Sequence, residues 1–328
     1  MKYDFVSVME KKAKEKPVRI VVCEGWDERC LQASADVLEK GLAELILLGD
    51  VEEIRKKAEE LEIDVSKAEM IDFRNSELRK ELAEKLLEAR KHKGMTAQQA
   101  DKLISDENYF GCMYCFAGYS DAVAGSAIGS TAALMKPALQ ILRKKGKLVS
   151  EVCVFTDVKN NRTIFGSDFS LNTAPSPEEL AAIAMNAAEA VREYDIEPKA
   201  ALLSYSTKGS GGDGPEIMAV RDAVELVKKQ DPKLMVDGEL QVDAAVNPWA
   251  AKRKCPDSPL KGEANLLIFP NLTASNIFAH GLGQFSEMTM DFTILKGMAK
   301  PVAILGRSTP METVRNMIVG CAMQVNSE

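Results

Sequence analysis

Four runs in the first sixty residues constrain the fold more than anything else in the chain. Val18 to Cys23 and Ala43 to Leu48 are short, apolar and strand-like, whereas Asp27 to Lys40 and Val51 to Leu61 read as helices. Strand and helix in alternation mark parallel βαβ units, so the first half is α/β. A charged helical segment from Ser76 to Lys93 leads to Gly94-Met95-Thr96, where Thr96 is placed to cap a helix over Ala97 to Ile104. Phe110 to Phe116 reads as a buried strand. A short apolar run at Ala122 to Ala124 breaks at Gly125-Ser126, and a helix follows from Ser130-Thr131 to about Lys145, which Pro137 either kinks or splits.

After Lys144 to Lys147 the pattern shifts to strands at Leu148 to Phe155 and Thr163 to Ser167, then to a helix capped at Ser176-Pro177. A domain boundary is therefore expected near residue 145. Strands at Ala200 to Ser204, near Leu234 to Val236, at Asn265 to Phe269 and at Pro301 to Leu305 alternate with helices at Pro215 to Lys229 and Pro310 to Met323. A chain of 328 residues is long for one core, so two domains are expected, with a cleft between them as the site.

Composition excludes several function classes. With 46% apolar and 6% aromatic residues and no run long enough for a transmembrane span, the chain reads as an ordinary α/β protein without a membrane partner. A net charge of −7 argues against nucleic acid. Met1 to Pro17 is dense in Lys and Glu and lacks the apolar core of a signal peptide, so a cytoplasmic protein is expected. The seven cysteines are odd in number and scattered, which predicts reduced thiols, and the lone Cys112/Cys115 pair has no second pair at zinc spacing. His92 and His280 are the only histidines and share no ligand spacing, so no metal is expected.

Four segments are candidates for anion chemistry. Ser204 to Glu216 packs Ser206, Thr207, Lys208 and Gly209 among further glycines ahead of a helix opening at Pro215, which predicts free amide groups aimed at a phosphate. Gly209 to Gly214 also satisfies GxGxxG, with Asp231 and Asp237 about 20 residues on, although Pro215 and the late position weaken a dinucleotide reading. Ser126, Ser130 and Thr131 lie between a strand end and a helix start, where they either line a ligand pocket or cap the helix, and Lys136 follows on the same helix. Arg90 opens a basic run to Lys93 that either meets a ligand or answers the helix dipole. Gly306 to Pro310 places Arg307 beside the last helix, with Glu312 in its first turn. Arg307 holds phosphate, or else Thr309 and Glu312 form a capping box.

Taken in order, these segments resemble the phosphate acetyltransferase and phosphate butyryltransferase family over nearly the whole chain. The matching pieces are Ala89 to Thr96, Lys136 to Gln140, Leu203 to Ser210, Asp237 to Ala245 and Phe269 to Asn276. The resemblance implies two three-layer α/β domains with mostly parallel sheets, residues 1–145 with 303–328 and an inserted 146–302, and an active-site cleft between them. It also implies a homodimer, coenzyme A as a substrate with no tightly bound cofactor, and reversible acyl transfer between coenzyme A and inorganic phosphate. Arg90 and Arg307 would hold the phosphate or the phosphates of coenzyme A, and Ser126, Ser130 and Thr131 would line the acyl-phosphate pocket. Arg307, Glu312, Ser130 and Thr131 are the catalytic candidates. Arg90, Ser126, Lys136, Ser206, Thr207, Lys208, Gly209 and Asn276 are the binding candidates.

The chain departs from the family pattern at the expected cleft. Lys136 stands for an arginine, Gly306 for a serine that would contact the thiol, and Gly129 for a histidine, while Met290 to Gly297 replaces a Gly-Pro stretch. The acidic residue expected as base falls on Thr313, with Glu312 one position earlier and so rotated by about 100° on the helix. An active acyltransferase is the expectation. A noncatalytic homologue that binds coenzyme A or acyl phosphate, and a nicotinamide-dependent oxidoreductase, are the alternatives.

Overall fold

A computed structural model describes residues 5–157, 159–160 and 162–327. In chain order the elements begin α1 (Phe5–Ala13), β1 (Arg19–Val22), α2 (Glu28–Glu39), β2 (Glu44–Leu48), α3 (Val51–Glu60) and β3 (Glu69–Ile71). They continue α4 (Arg79–Arg90), α5 (Ala97–Ile104), α6 (Glu107–Phe116), β4 (Ala122–Gly125), α7 (Thr131–Ile141), β5 (Ser150–Asp157) and β6 (Arg162–Ser167). Then come α8 (Pro177–Arg192), β7 (Lys199–Leu203), α9 (Pro215–Gln230), β8 (Met235–Leu240), α10 (Val242–Val246) and α11 (Pro248–Lys254). The chain closes with β9 (Leu266–Ile268), α12 (Leu272–Phe285), β10 (Thr289–Lys296), β11 (Val302–Ile304) and α13 (Met311–Ser327).

Two compact units emerge: Leu148–Gly297, inserted, and the flanking residues 5–147 with 298–327. The flanking unit holds a five-stranded sheet, ordered β11-β4-β1-β2-β3, in which every pairing is parallel. Its central strands are apolar without alternation because helices cover both faces, and Ile20, Val21, Val22 and Leu45 to Leu48 are all buried. Within this unit Arg315 of α13 pairs with Glu10 of α1 and, at 2.8 Å, with Asp36 of α2.

The inserted unit has a mixed six-stranded sheet, ordered β10-β5-β6-β9-β7-β8. β10, β5 and β6 run antiparallel, and the remaining pairings are parallel. Its aromatic core is built edge-on, with Phe169 5.5 Å from Phe155 and 5.3 Å from Phe269 between ring centres.

Local signals set several boundaries. Thr96 with Gln99 and Ser176 with Glu179 form capping boxes at the starts of α5 and α8. Pro137 lies inside α7, which runs on to Ile141 as one helix. One expectation fails: Phe110 to Phe116 is not a strand but most of α6, whose N-terminus is capped by the Asp106 carboxylate accepting from Asn108 and Tyr109. Residues 108–115 are buried all round, so the run shows no period, and an apolar segment without a period does not distinguish helix from strand. Gly111 lets this helix lie directly on the sheet, since a Cβ there would stand 2.5 Å from Cys23 Sγ.

All seven cysteines are buried and free. Burial pushes the Cys115 thiol up to about 12 and raises Cys112 as well, so both are structural thiols at neutral pH. Among the described residues no helix is long and apolar enough to cross a membrane.

Candidate active site

The C-terminal ends of β1, β4 and β11, neighbours in the flanking sheet, carry three loops, and ligands of open parallel sheets bind at such edges. Leu305 and Gly306 donate their N–H groups to the carbonyls of Gly125 and Ser126 at 2.8 and 3.1 Å, so the loop bearing Arg307 is laced to the loop bearing Ser126. Ser126 is fully buried at a left-handed φ of 65°. Its N–H donates to Glu24 Oε1 at 3.0 Å and its hydroxyl to the Ser130 carbonyl at 2.5 Å. Burial raises the pKa of Glu24, against the N–H groups of Ala127 and Ser126 and the side chain of Asn108, which favour its charged form.

Ser130 occupies the cap position of α7 but makes no side-chain cap bond, and Ser130 and Thr131 are both exposed. Capping therefore does not account for Ser130. Its hydroxyl, the Thr131 hydroxyl and the positive end of α7 share one edge. Arg307 is exposed, and among the described residues its guanidinium has no ion pair or hydrogen bond. Ser126 shapes this edge from within, because its own hydroxyl is already engaged.

Arg90 and Lys136 meet in a pocket of about 420 Å³ that also gathers Lys93 and Lys102 and contains no carboxylate. Arg90 reaches the Gln140 carbonyl at 3.4 Å through Nη1, while its buried Nε has no partner. Lys93, Lys102 and Lys136 form no ion pair among the described residues. Four cations without an ion pair among the described residues give this concavity a positive potential that suits a polyanion. Lys136 lies five residues along α7 from Thr131, an axial rise of about 7.5 Å, so one helix joins this pocket to the hydroxyl-bearing edge.

The glycine-rich turn of the inserted unit is arranged differently from the sequence expectation. Gly209 donates its N–H to Glu239 Oε1 at 2.8 Å, Gly211 to the Ser206 hydroxyl at 2.9 Å, and Lys208 to the Glu239 carbonyl at 3.3 Å. The amides of Ser210 and Gly212 bond the carbonyls of Thr207 and Gly209. The amides of residues 208–212 are thus engaged, and the one anion among their acceptors is the Glu239 carboxylate, met by Gly209. Lys208 is held by Asp237 at 2.5 Å, and Thr207 accepts from the Gln241 N–H at 2.9 Å. A dinucleotide pyrophosphate needs those amides, so the GxGxxG reading loses its physical basis here. Asn276 is an exposed residue of α12 in the same unit.

The family profile described as phosphate acetyl/butaryl transferase matches residues 4–322. The chain belongs to this family. It is 37% identical to a phosphate acetyltransferase of Clostridium acetobutylicum over 98% of each chain. It is 38% identical to that of Bacillus subtilis, over 98% of this chain and 99% of the relative. The crystal structure of a phosphotransacetylase from Streptococcus pyogenes superposes with a TM-score of 0.92 at 36% identity, covering 98% of both chains.

In this phosphate acetyl/butaryl transferase chain, Glu312 makes no hydrogen bond or ion pair to Ser130 or Arg307 among the described residues. It lines a groove with Glu10, Asp36, Lys40 and Arg315 on the outer helices. Sequence reasoning also missed Glu24 and Arg29. Arg29 Nη1 donates to the carbonyls of Gly306, Arg307 and Thr309 at 3.1, 3.0 and 3.1 Å, and Nη2 donates to that of Ala127 at 2.7 Å. The only local signal was Asp27 at a helix start, because the carbonyl partners of Arg29 lie 98 to 280 residues away.

Proposed function

We propose that this protein is an acyltransferase that moves a short acyl group, acetyl in the first instance, reversibly between coenzyme A and inorganic phosphate. The observation that carries the reading is the lacing of the Arg307 loop to the Ser126 loop, which sets an unpaired guanidinium on the same sheet edge as the open Ser130 and Thr131 hydroxyls. Family membership supports phosphate and thioester chemistry as the use of that edge.

In the forward direction the thiolate of coenzyme A attacks the carbonyl carbon of an acyl phosphate. A C–S bond forms, the bond from that carbon to the bridging phosphate oxygen breaks, and phosphate leaves with the electron pair. Arg307 grips the phosphate through paired N–H groups and neutralises its growing charge. Ser130, Thr131 and the α7 N-terminus donate toward the tetrahedral oxyanion. Arg90 and Lys136, with Lys93 and Lys102, receive the phosphates of coenzyme A. The mechanism calls on no resident cofactor.

The experiment is an assay with coenzyme A and a panel of acyl phosphates from acetyl to butyryl, following thioester absorbance. Turnover with one member supports the reading and gives the acyl preference. Absence of turnover together with stabilisation by coenzyme A would favour the noncatalytic alternative, to which Gly306 and Thr313 at the expected serine and acid positions point.

A homodimer is part of the proposal. α12 leaves Ile277 and Phe285 67% and 92% exposed, with Met290 following at 46%, an apolar surface suited to a second copy. Sedimentation at a dimer mass is expected, and a monomer at micromolar concentration would reject it. Seven buried free thiols support a reducing, cytoplasmic compartment.

A further inference from the structure

We infer that Arg29 is a positioning residue for Arg307: it sets the phosphate-gripping side chain by holding the backbone that carries it. The inference rests on the acyl-transfer reading for the role of Arg307, but its geometry stands independently. Three carbonyls of the loop after β11, those of Gly306, Arg307 and Thr309, converge on Arg29 Nη1, and the carbonyl of Ala127 in the loop after β4 meets Nη2. Asp27 fixes the guanidinium from the other side, at 3.1 Å to Nε and 3.2 Å to Nη2.

Five N–H donors therefore face six acceptors, and none is left for a ligand. Arg29 acts through other residues and not on the phosphate itself. Because the carbonyls turn inward toward a cation, the loop is curled around Arg29, and the Arg307 side chain is left exposed without an internal partner among the described residues. A planar fork with five fixed donors can bridge four carbonyls on two loops, whereas a lysine ammonium with three donors on a flexible stem cannot. Arg307 needs that support, since displacement of a gripping group by about 1 Å costs on the order of 100-fold in rate.

The test compares Arg29→Lys and Arg29→Ala with the wild type. Both are expected to remain folded by circular dichroism, with kcat lowered about 100-fold and KM for coenzyme A unchanged, because the Arg90 and Lys136 pocket does not depend on this clamp. Millimolar guanidinium is expected to restore part of the lost kcat to Arg29→Ala and none to Arg307→Ala. The Arg29→Ala/Arg307→Ala double variant is expected to be no slower than Arg307→Ala alone, because residues acting as one unit are not additive. Wild-type kcat in Arg29→Lys, additive losses in the double variant, or equal rise of KM for both substrates without rescue would each overturn the inference.

If the wild type turns over no acyl phosphate, the acyl-transfer reading fails while this one is still decided by calorimetric binding of inorganic phosphate. Arg29→Ala is then expected to weaken phosphate binding as much as Arg307→Ala does, and undiminished affinity would overturn it.

Discussion

Glu239 Oε1 accepts the N–H of Gly209 at 2.8 Å, so the carboxylate of one strand anchors a turn 30 residues earlier in the chain. Arg221 Nε meets the other oxygen at 2.8 Å, and Ser206 donates its hydroxyl at 2.9 Å. Burial alone would raise the Glu239 pKa, but Arg221, Gly209 and Ser206 outweigh it and hold it down at about 2. The turn is therefore a structural joint.

Glu239→Gln removes the charge while keeping the shape. At neutral pH it is expected to destabilise the protein by about 2 kcal/mol, the loss typical of a hydrogen bond to a charged group. A folded pKa below the ordinary 4.5 lends stability above that value, which is lost as pH falls toward 2. The gap between variant and wild type in urea unfolding should shrink from pH 5 to pH 3, and a gap independent of pH would reject the assignment.

Arg307→Ala is expected to lower kcat by on the order of 100-fold to 1,000-fold, the scale for removing one preorganised charge-stabilising donor, with unfolding by urea unchanged. Glu312→Gln is expected to stay within a factor of about two of the wild type, because Glu312 faces a groove of the outer helices. Steady-state assays on both variants decide the point. Comparable losses in the two would place Glu312 in the catalytic set.

Arg90→Gln is expected to raise KM for coenzyme A by about tenfold or more, as loss of one charge-assisted contact to phosphate implies, and to leave KM for acyl phosphate nearly unchanged. Lys136→Arg should lower KM for coenzyme A, since a guanidinium adds bidentate contact that the ammonium lacks. Initial rates over both substrates are the measurement. Equal shifts in the two KM values would show that the pocket does not distinguish them.

Gly306→Ser tests the departure from the family pattern. Gly306 sits at a φ of 72°, and a Cβ there would stand 2.8 Å from Thr309 Oγ1. A cost of about 1 kcal/mol in urea unfolding is expected, and Gly306→Ser/Thr309→Ala should recover part of it by removing the close contact. No loss in the single variant would mean that the loop readily adopts another conformation.

The sequence resolved what short-range chemistry decides. Alternating apolar runs announced the parallel sheet of the flanking unit, and Thr96 and Ser176 announced their helices, because a cap is satisfied within three residues. The ordered resemblance named the family and, through it, the reaction. α6 was misread because burial on every side of residues 108–115 erased the helical period of that run.

The candidate site was legible as residue types but not as partners. The sequence by itself determined the α/β class, the family and the presence of hydroxyl and cationic residues beside strand ends. Tertiary structure alone decided which polar groups remain available to a ligand. A buried donor takes whichever acceptor the fold brings near, regardless of chain separation. The same rule closes the Gly209 turn on Glu239 and fills Arg29 with carbonyls from distant loops. Arg307 and the Ser130 hydroxyl remain open because, among the described residues, the fold brings them no internal partner.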